Sequence, residues 1–204
     1  MTGLERNADV VRMASYAPLF ANTEAWQWKP DLIWVDSLRS YATPNYYVQQ
    51  LFSCNRGTEV LPLQLDGVQT LPSGIQSVYA SATHDDVTGE IIVKVVNPGE
   101  SAQDTQIALD GVNNVSPQAT EIVLAGNPRD VNSLSEPGKV SPVQSEIQNA
   151  GTKFSCVFVP HSMTVLRIKA QLIRASNEAP RTGAARLAQP APDTISLGAT
   201  ETAK

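Results

Sequence analysis

Thr2-Gly3-Leu4-Glu5-Arg6-Asn7-Ala8-Asp9-Val10-Val11-Arg12-Met13-Ala14-Ser15-Tyr16-Ala17-Pro18-Leu19-Phe20 is the stretch on which the reading of this 204-residue chain turns. Thr2 followed three residues later by Glu5 is a capping-box pattern, and Leu4, Ala8, Val11 and Ala14 or Ser15 recur at helical spacing. The expectation is one helix from Thr2 to Ala17. Pro18 ends it, because its ring excludes an interior helical position and pushes the preceding residue out of the helical region. Glu5 is then assigned to the cap, and Asp9 to a solvated neighbourhood with Arg6 and Arg12. Only Met1 stands ahead of this well-formed helix.

Working outward, a short turn-rich passage from Leu19 to Asn22 leads past Trp26 and Trp28 to Leu32-Ile33-Trp34-Val35-Asp36. Four apolar residues in a row match a strand covered on both faces, as in a parallel sheet. Thr43-Pro44 then supplies an N-cap and a first-turn proline for a helix through Phe52, with Tyr47 or Val48, Leu51 and Phe52 on its apolar side and Asn55-Arg56-Gly57 as its stop. Residues 1–56 thus read as helix, buried strand and helix, a piece of a repeating βα fold.

From residue 57 to 174 the pattern changes. Val78–Ala82, Glu90–Val96, Gln103–Leu109, Thr120–Leu124, Lys153–Val159 and Met163–Lys169 are short, β-branched segments separated by turns such as Val87-Thr88-Gly89, Asn97-Pro98-Gly99, Asp110-Gly111 and Asn149-Ala150-Gly151. Their number and alternation predict an antiparallel β-sandwich, with the nearly all-apolar Ile91–Val96 run as a central strand. Residues 128–142 read as a long loop. Residues 175–204, rich in Ala, Pro, Thr and Gly, read as a disordered tail. The fold class is therefore mainly β: an antiparallel sandwich preceded by a helix-strand-helix unit.

Fifteen Lys and Arg against 20 Asp and Glu give a net charge of −5 with no basic block, which argues against a nucleic-acid partner. No stretch approaches the roughly 20 apolar residues that cross a bilayer, so the chain is expected to be soluble and not a membrane partner. Cys54 and Cys156 are too few for a disulfide scaffold and read as buried small apolar residues, with a bridge between the two blocks left open.

The opening run, Met1 to Val11 and Met13 to Phe20, closely resembles the end of the catalytic barrel in α-L-arabinofuranosidases of glycoside hydrolase family 51. Trp28 with Pro30-Asp31-Leu32-Ile33, Tyr46-Tyr47-Val48-Gln49-Gln50-Leu51-Phe52-Ser53 and, less strongly, Phe158-Val159-Pro160-His161-Ser162-Met163-Thr164-Val165-Leu166 extend the resemblance over residues 1–170. It implies that residues 1–56 are the last quarter of a (β/α)₈ barrel, which in full takes about 250 residues, and that residues 57–174 are the C-terminal β-sandwich. The resemblance further implies a retaining mechanism with two catalytic Glu residues, at the ends of the fourth and seventh barrel strands. Both would lie before Met1. Retaining hydrolysis needs two carboxyl groups about 5–5.5 Å apart, held by different strands, so no residue of this chain is assigned a catalytic role and the chain alone is expected to be inactive.

Substrate contacts in the parent enzyme are assigned to Trp28 and Gln27 first, then Asn22 and Trp26. Exposed indoles stack on sugar C–H faces and amides bond hydroxyls. Asp36, at the end of the buried strand, is either a substrate-side group or a loop anchor. His84 and His161 stand apart, outside any ligand cluster, so no metal and no cofactor is expected. Ser15, Ser53 and Ser162 lack a local base or nucleophile-elbow context.

The leading functional reading is the C-terminal part of an enzyme that removes terminal α-L-arabinofuranosyl groups from arabinan or arabinoxylan, its partner being the catalytic barrel that would precede it. A structural or carbohydrate-binding sandwich is the alternative, weakened because the sandwich aromatics Tyr79, Phe154 and Phe158 fit core or half-buried positions. Assembly with a separate chain carrying the remaining barrel strands is the third. Oligomeric state and compartment stay open, a secreted or periplasmic parent being compatible with the sequence.

Overall fold

The computed structural model describes residues 1–173 and 195–199. Three short strands, β1 (Phe20–Asn22), β2 (Ile33–Val35) and β3 (Ser40–Ala42), form a small sheet in which β1 and β2 run parallel and β3 returns antiparallel to β2. A helix, Pro44–Cys54, follows as expected. Thr43 Oγ1 accepts from the Tyr46 N–H (3.4 Å) and donates to the Leu32 carbonyl (2.9 Å), so one hydroxyl both caps the helix and ties it to β2. Leu32 and Trp34 are buried, but Ile33 and Val35 are only half-buried, so β2 is covered on one face and not on two.

The opening helix is much shorter than its pattern predicts. α1 spans Thr2–Arg6, with Pro44–Cys54 as α2. Met1 is the N-cap and no side chain caps it; Thr2 is buried and Glu5 points elsewhere. Asn7 Nδ2 takes the Gly3 carbonyl at 2.7 Å, and the backbone bonds tighten to Asn7 N–H on Leu4 and Ala8 N–H on Glu5. A helix of this length draws its stability from tertiary packing of its apolar stripe. Of the stripe beyond Arg6, Ala8 and Val11 are only half-buried and Ala14 and Ser15 are exposed, so little apolar burial is left to hold further turns.

The sandwich is built from strands β4 (Glu59–Leu61), β5 (Leu63–Asp66), β6 (Tyr79–Asp85), β7 (Glu90–Asn97), β8 (Gln103–Leu109), β9 (Val112–Asn113), β10 (Gln118–Ala125), β11 (Val143–Gln148), β12 (Lys153–Phe158), β13 (Ser162–Lys169), β14 (Gln171–Leu172) and β15 (Ile195–Ala199). One antiparallel sheet has the order β11-β10-β13-β7-β6-β4 and the other the order β12-β8-β15-β5; β14 and β9 form a separate pair. β7 is interior, as its apolar run demands. Between the sheets lie Ile91, Val93, Val95, Leu166 and Ile168 from one side and Ile107, Leu109, Phe154, Cys156 and Phe158 from the other. Gly89 turns the β6–β7 hairpin at φ 68°, where a side chain would be strained. Gly57 passes so close to β6 that an added Cβ would meet the His84 carbonyl oxygen at 2.4 Å.

Period-two alternation sends the intervening residues of the first sheet outward, and these are covered too. Leu51 and Phe52 of α2 pack with Ile92, Leu124, Val140, Met163 and Val165. In the same face sits Lys94, fully buried, whose Nζ lies 2.6 Å from Glu5 Oε1 and 5.4 Å from the Phe52 ring centre. Ser81, paired with Lys94 across β6 and β7, donates to Glu5 Oε2 at 2.5 Å, and Arg6 Nη1 donates to the Ala80 carbonyl at 3.4 Å. Glu5 therefore pins α1 to the sheet, in place of the cap role read from the sequence. The 126–142 loop is fastened by Asn132, whose Nδ2 donates to the Ala42 carbonyl (2.8 Å) and the Val140 carbonyl (2.9 Å) while its Oδ1 accepts from the Val140 N–H (2.7 Å).

Six strands of the sandwich, the two-residue β9 and β14 among them, escape the sequence pattern. β4 and β5 flank Pro62 as short edge strands. β11 is an exposed edge in which Ile147 alone is half-buried, so it lacks the alternation that marks a strand. β15 lies inside the segment expected to be a tail: Ile195 and Leu197 are each 2% exposed, and burying two such side chains contributes about 3–6 kcal/mol. For residues 195–199 the tail expectation is corrected, because two apolar side chains two residues apart suffice for one sandwich strand. The remainder of 175–204 lies outside the described residues. β15 is also parallel to β5, the one departure from antiparallel pairing in the sandwich.

Both cysteines are free. Cys156 is buried as expected, whereas Cys54 is exposed at the end of α2. Burial, reinforced by Glu121, pushes the Cys156 thiol up to about 12. At pH 8 its thiolate fraction is then on the order of one in ten thousand. A thiol-reagent titration of the native protein should label one cysteine quickly and the second only on unfolding; fast labelling of both would contradict this burial.

Candidate functional site

The parallel pairing of β1 and β2 sets Asn22 opposite Val35, so Asn22 and Asp36 emerge at the same end of the small sheet. Asn22 Oδ1 accepts from the Glu24 N–H (2.8 Å) and shapes the turn that begins the Trp26–Pro30 loop. Trp26 returns over the sheet and meets Trp34 edge-on, ring centres 6.1 Å apart; Trp34 stacks on Tyr41 at 6.5 Å and 9°. Lys29 Nζ stands 4.2 Å from the Trp26 ring centre and 5.5 Å from that of Trp34, within cation–π reach of both. Asn22 and Asp36 thus share one end of the sheet, while Trp26 lies against Trp34 of its middle strand.

Trp28 faces a different opening, a shallow cleft of about 400 Å³ lined by Tyr16, Ala17, Pro18, Trp28, Lys29 and Pro30. The Tyr16 hydroxyl donates to the Pro30 carbonyl (3.3 Å) and holds the two walls together. Trp28 is 67% exposed, and Gln27 is exposed beside it. Lys29 is the link between this cleft and the Trp26 cluster.

Asp36 is committed to its own loop. Its Oδ1 accepts the N–H groups of Leu38 (2.8 Å) and Arg39 (2.5 Å), and its Oδ2 accepts Arg39 Nη2 (2.8 Å) and Nε (3.1 Å). The Leu38 and Arg39 N–H groups, followed by the Arg39 guanidinium, hold its carboxyl below the usual aspartate range. A group so stabilised as an anion is a poor proton donor.

Two residues carry more than the sequence reading gave them. Asp31, 2% exposed, has one carboxylate oxygen with no hydrogen-bond partner, an expensive arrangement in a protein interior. Lys94, hidden in an apolar strand run, was signalled only by a charge where the pattern calls for none. His84 is placed against Glu59, its Nδ1 3.1 Å from Oε1, and His161 occupies a left-handed turn at φ 48°.

Surface character is uneven. Leu4, Val10, Met13, Leu19, Phe20, Trp26, Trp28 and Leu38 are all exposed, and β1 lies at the edge of its sheet. Exposed apolar side chains beside an open strand edge mark an association surface.

Residues 1–162 match the family model described as the α-L-arabinofuranosidase C-terminal domain. Alpha-L-arabinofuranosidase 1 of Arabidopsis thaliana is 36% identical over 170 residues, covering 80% of this chain and 24% of that protein. An extracellular exo-alpha-L-arabinofuranosidase of Streptomyces chartreusis is 45% identical over 93 residues, 43% of this chain and 11% of the relative. Among solved structures, an arabinose-bound family 51 α-L-arabinofuranosidase superposes with a TM-score of 0.75 at 32% identity, over 84% of this chain and 26% of that one. The Thermotoga maritima α-L-arabinofuranosidase, at 19% identity and a TM-score of 0.65 over 81% of this chain and 36% of the other, shares the fold. The chain spans about a quarter of the length of the curated relatives that it matches over most of its own length. It belongs to the α-L-arabinofuranosidases of glycoside hydrolase family 51, and the region it represents is their C-terminal domain.

Proposed function

We propose that this chain supplies the non-catalytic end of a retaining α-L-arabinofuranosidase: residues 1–56 complete a (β/α)₈ barrel, and residues 57–174 form the sandwich on which that end is fixed. The substrate of the whole enzyme is a terminal α-L-arabinofuranosyl group on arabinan or arabinoxylan. Both catalytic Glu residues come from the preceding barrel polypeptide. The observation that carries this reading is the open edge of the parallel β1–β2 pair, flanked by exposed Leu19 and Phe20, an arrangement suited to receiving further parallel strands. The unpartnered oxygen of Asp31 supports it as well, as a group awaiting a donor. Trp28 and Gln27 are the first residues of this chain to contact the sugar chain in this reading, Trp26 and Asn22 the next, and Asp36 fixes its own loop. Work outside the cell is in keeping with the extracellular Streptomyces relative, and among the described residues no helix is long and apolar enough to cross a membrane.

The test is to coexpress the chain with a polypeptide carrying the barrel of a family 51 arabinofuranosidase, cut before the segment that matches Met1. The chain alone should give background hydrolysis of an aryl arabinofuranoside, and the mixture a one-to-one complex with saturable turnover. In that complex Trp28→Ala should raise KM roughly five- to tenfold, the equivalent of about 1–1.4 kcal/mol for one stacking face. Turnover by the chain alone that disappears in Asp36→Asn would reject the reading, as would failure of the two polypeptides to copurify.

A further inference from the structure

We propose that the lane between β5 and β8 is a strand-acceptor site whose occupant, residues 195–199, is exchangeable between two copies of this chain. β15 is an interior strand: it runs parallel to β5 from Ile195 opposite Leu63 to Gly198 opposite Asp66, and antiparallel to β8 from Ile195 opposite Leu109 to Ala199 opposite Thr105. All of β5's pairing within its sheet is with β15. With the lane empty, β5 loses its strand neighbour and β8 presents a free edge, while Leu109 and Ile107 lose the apolar side chains of Ile195 and Leu197 that close the core beside them. Such a lane reads two things: a backbone able to hydrogen-bond on both sides, and apolar residues two apart. That is the recognition chemistry of strand addition, and it does not depend on which chain the strand belongs to.

The connection favours exchange over permanence. β14 ends at Leu172 and β15 begins at Ile195, so 22 residues join the occupant of the lane to the rest of the sandwich. A strand joined through its own chain meets its lane at an effective concentration set by the length of that connection, on the order of millimolar for short linkers. The closed monomer should therefore dominate at micromolar concentration, and reciprocal donation in a two-fold dimer should become competitive as the protein approaches the millimolar range. β15 lies beyond residue 162, where the match to the family model ends. The inference is independent of the catalytic reading and survives its failure.

The experiment uses the full chain and the double variant Ile195→Asp with Leu197→Asp, which cannot fill its own lane. The probe is a fluorescent synthetic peptide of residues 193–201. The variant should bind the peptide at least tenfold more tightly than the wild type, in which the tethered strand competes, and the same peptide carrying Leu197→Asp should not bind. A folded variant that ignores the peptide, or equal binding by variant and wild type, overturns the proposal. Should the variant fail to fold, wild-type chains bearing two different tags are mixed, unfolded and refolded at near-millimolar concentration. Mixed dimers that excess peptide converts to monomers support exchange, and recovery of monomers alone overturns it.

Discussion

Replacing Glu5 by Ala should destabilise the protein by about 3–5 kcal/mol, because it leaves a fully buried ammonium without its counter-charge. In a domain of this size that corresponds to a loss of roughly 6–20 °C in Tm. Lys94 has no exposed surface, whereas the Glu5 side chain keeps 13% of its own. The two halves of the pair are therefore unequal. Lys94→Met retains the apolar stem against Phe52 and leaves Glu5 to the Ser81 hydroxyl and the solvent edge, so it should cost about 1–2 kcal/mol. Combining Glu5→Leu with Lys94→Met should recover most of the loss, since buried ion pairs are often replaceable by packed apolar side chains. Urea unfolding of the wild type, Glu5→Leu, Lys94→Met and the double variant closes the cycle and gives the coupling, and a Glu5→Ala cost below about 1 kcal/mol would mean that the ammonium finds another partner.

The same pair predicts a pH dependence. Burial holds the Lys94 ammonium below the ordinary lysine value of 10.5, with Glu5 pulling in the opposite direction. The unfolded chain therefore binds more protons than the folded one in the window just below 10.5, and the Lys94 contribution to stability rises with pH across that window. In Glu5→Gln the opposing pull is removed, and the rise should begin at lower pH. Comparing the pH dependence of the unfolding midpoint in wild type, Glu5→Gln and Lys94→Met isolates this contribution, because the rise must vanish in the last of the three.

The second large effect is expected at Asn97. This fully buried residue ends β7 and satisfies four backbone groups at once. Its Nδ2 donates to the carbonyls of Ser101 (2.8 Å), Phe158 (2.9 Å) and Val159 (3.1 Å), and its Oδ1 accepts from the Gly99 N–H (2.9 Å). Phe158 ends β12 of the opposite sheet, so one amide clips the two layers together at this end. Asn97→Leu leaves an N–H and three carbonyls short of a partner, at about 1–3 kcal/mol for each group that stays buried; a total of roughly 3–5 kcal/mol is expected after partial rearrangement. Asn97→Asp should be at least as damaging at neutral pH, because a carboxylate would face three carbonyl oxygens, and should partly recover in acid as it becomes a donor. A midpoint unchanged in either variant would show that water replaces the amide.

Much of the sandwich was legible because half-buried strands write their alternation into the sequence. Gln103–Leu109 was read with both ends correct, and the apolar run of β7 announced a central strand. The Thr43-Pro44 start was equally readable, since capping depends on neighbours only one to three residues away. β11 was not readable, because a solvated edge strand needs no apolar period, and β15 was obscured by the Ala- and Pro-rich composition around it. The 2–17 helix failed for the opposite reason: the local signal is present, but beyond Arg6 its stripe is only half-buried at Ala8 and Val11 and exposed at Ala14 and Ser15. Of the candidate site residues, Asn22 and Asp36 share one end of the small sheet, Trp26 lies against Trp34 of its middle strand, and Trp28 lines a separate cleft. The double use of Asp36 by its own loop could not be foreseen from one carboxylate at a strand end.

By itself the sequence determined the family, the central strand, the second helix and its cap, and half of the sandwich strands, all of which rest on interactions between residues close in sequence or on long literal motifs. Only the tertiary structure decided that Glu5 serves Lys94 and not its helix, that Asn97 joins the two sheets, and that residues 195–199 fill a lane between β5 and β8. Those partners lie 89, 61 and more than 80 positions apart, a separation at which only the packed core, and no local propensity, can choose who meets whom.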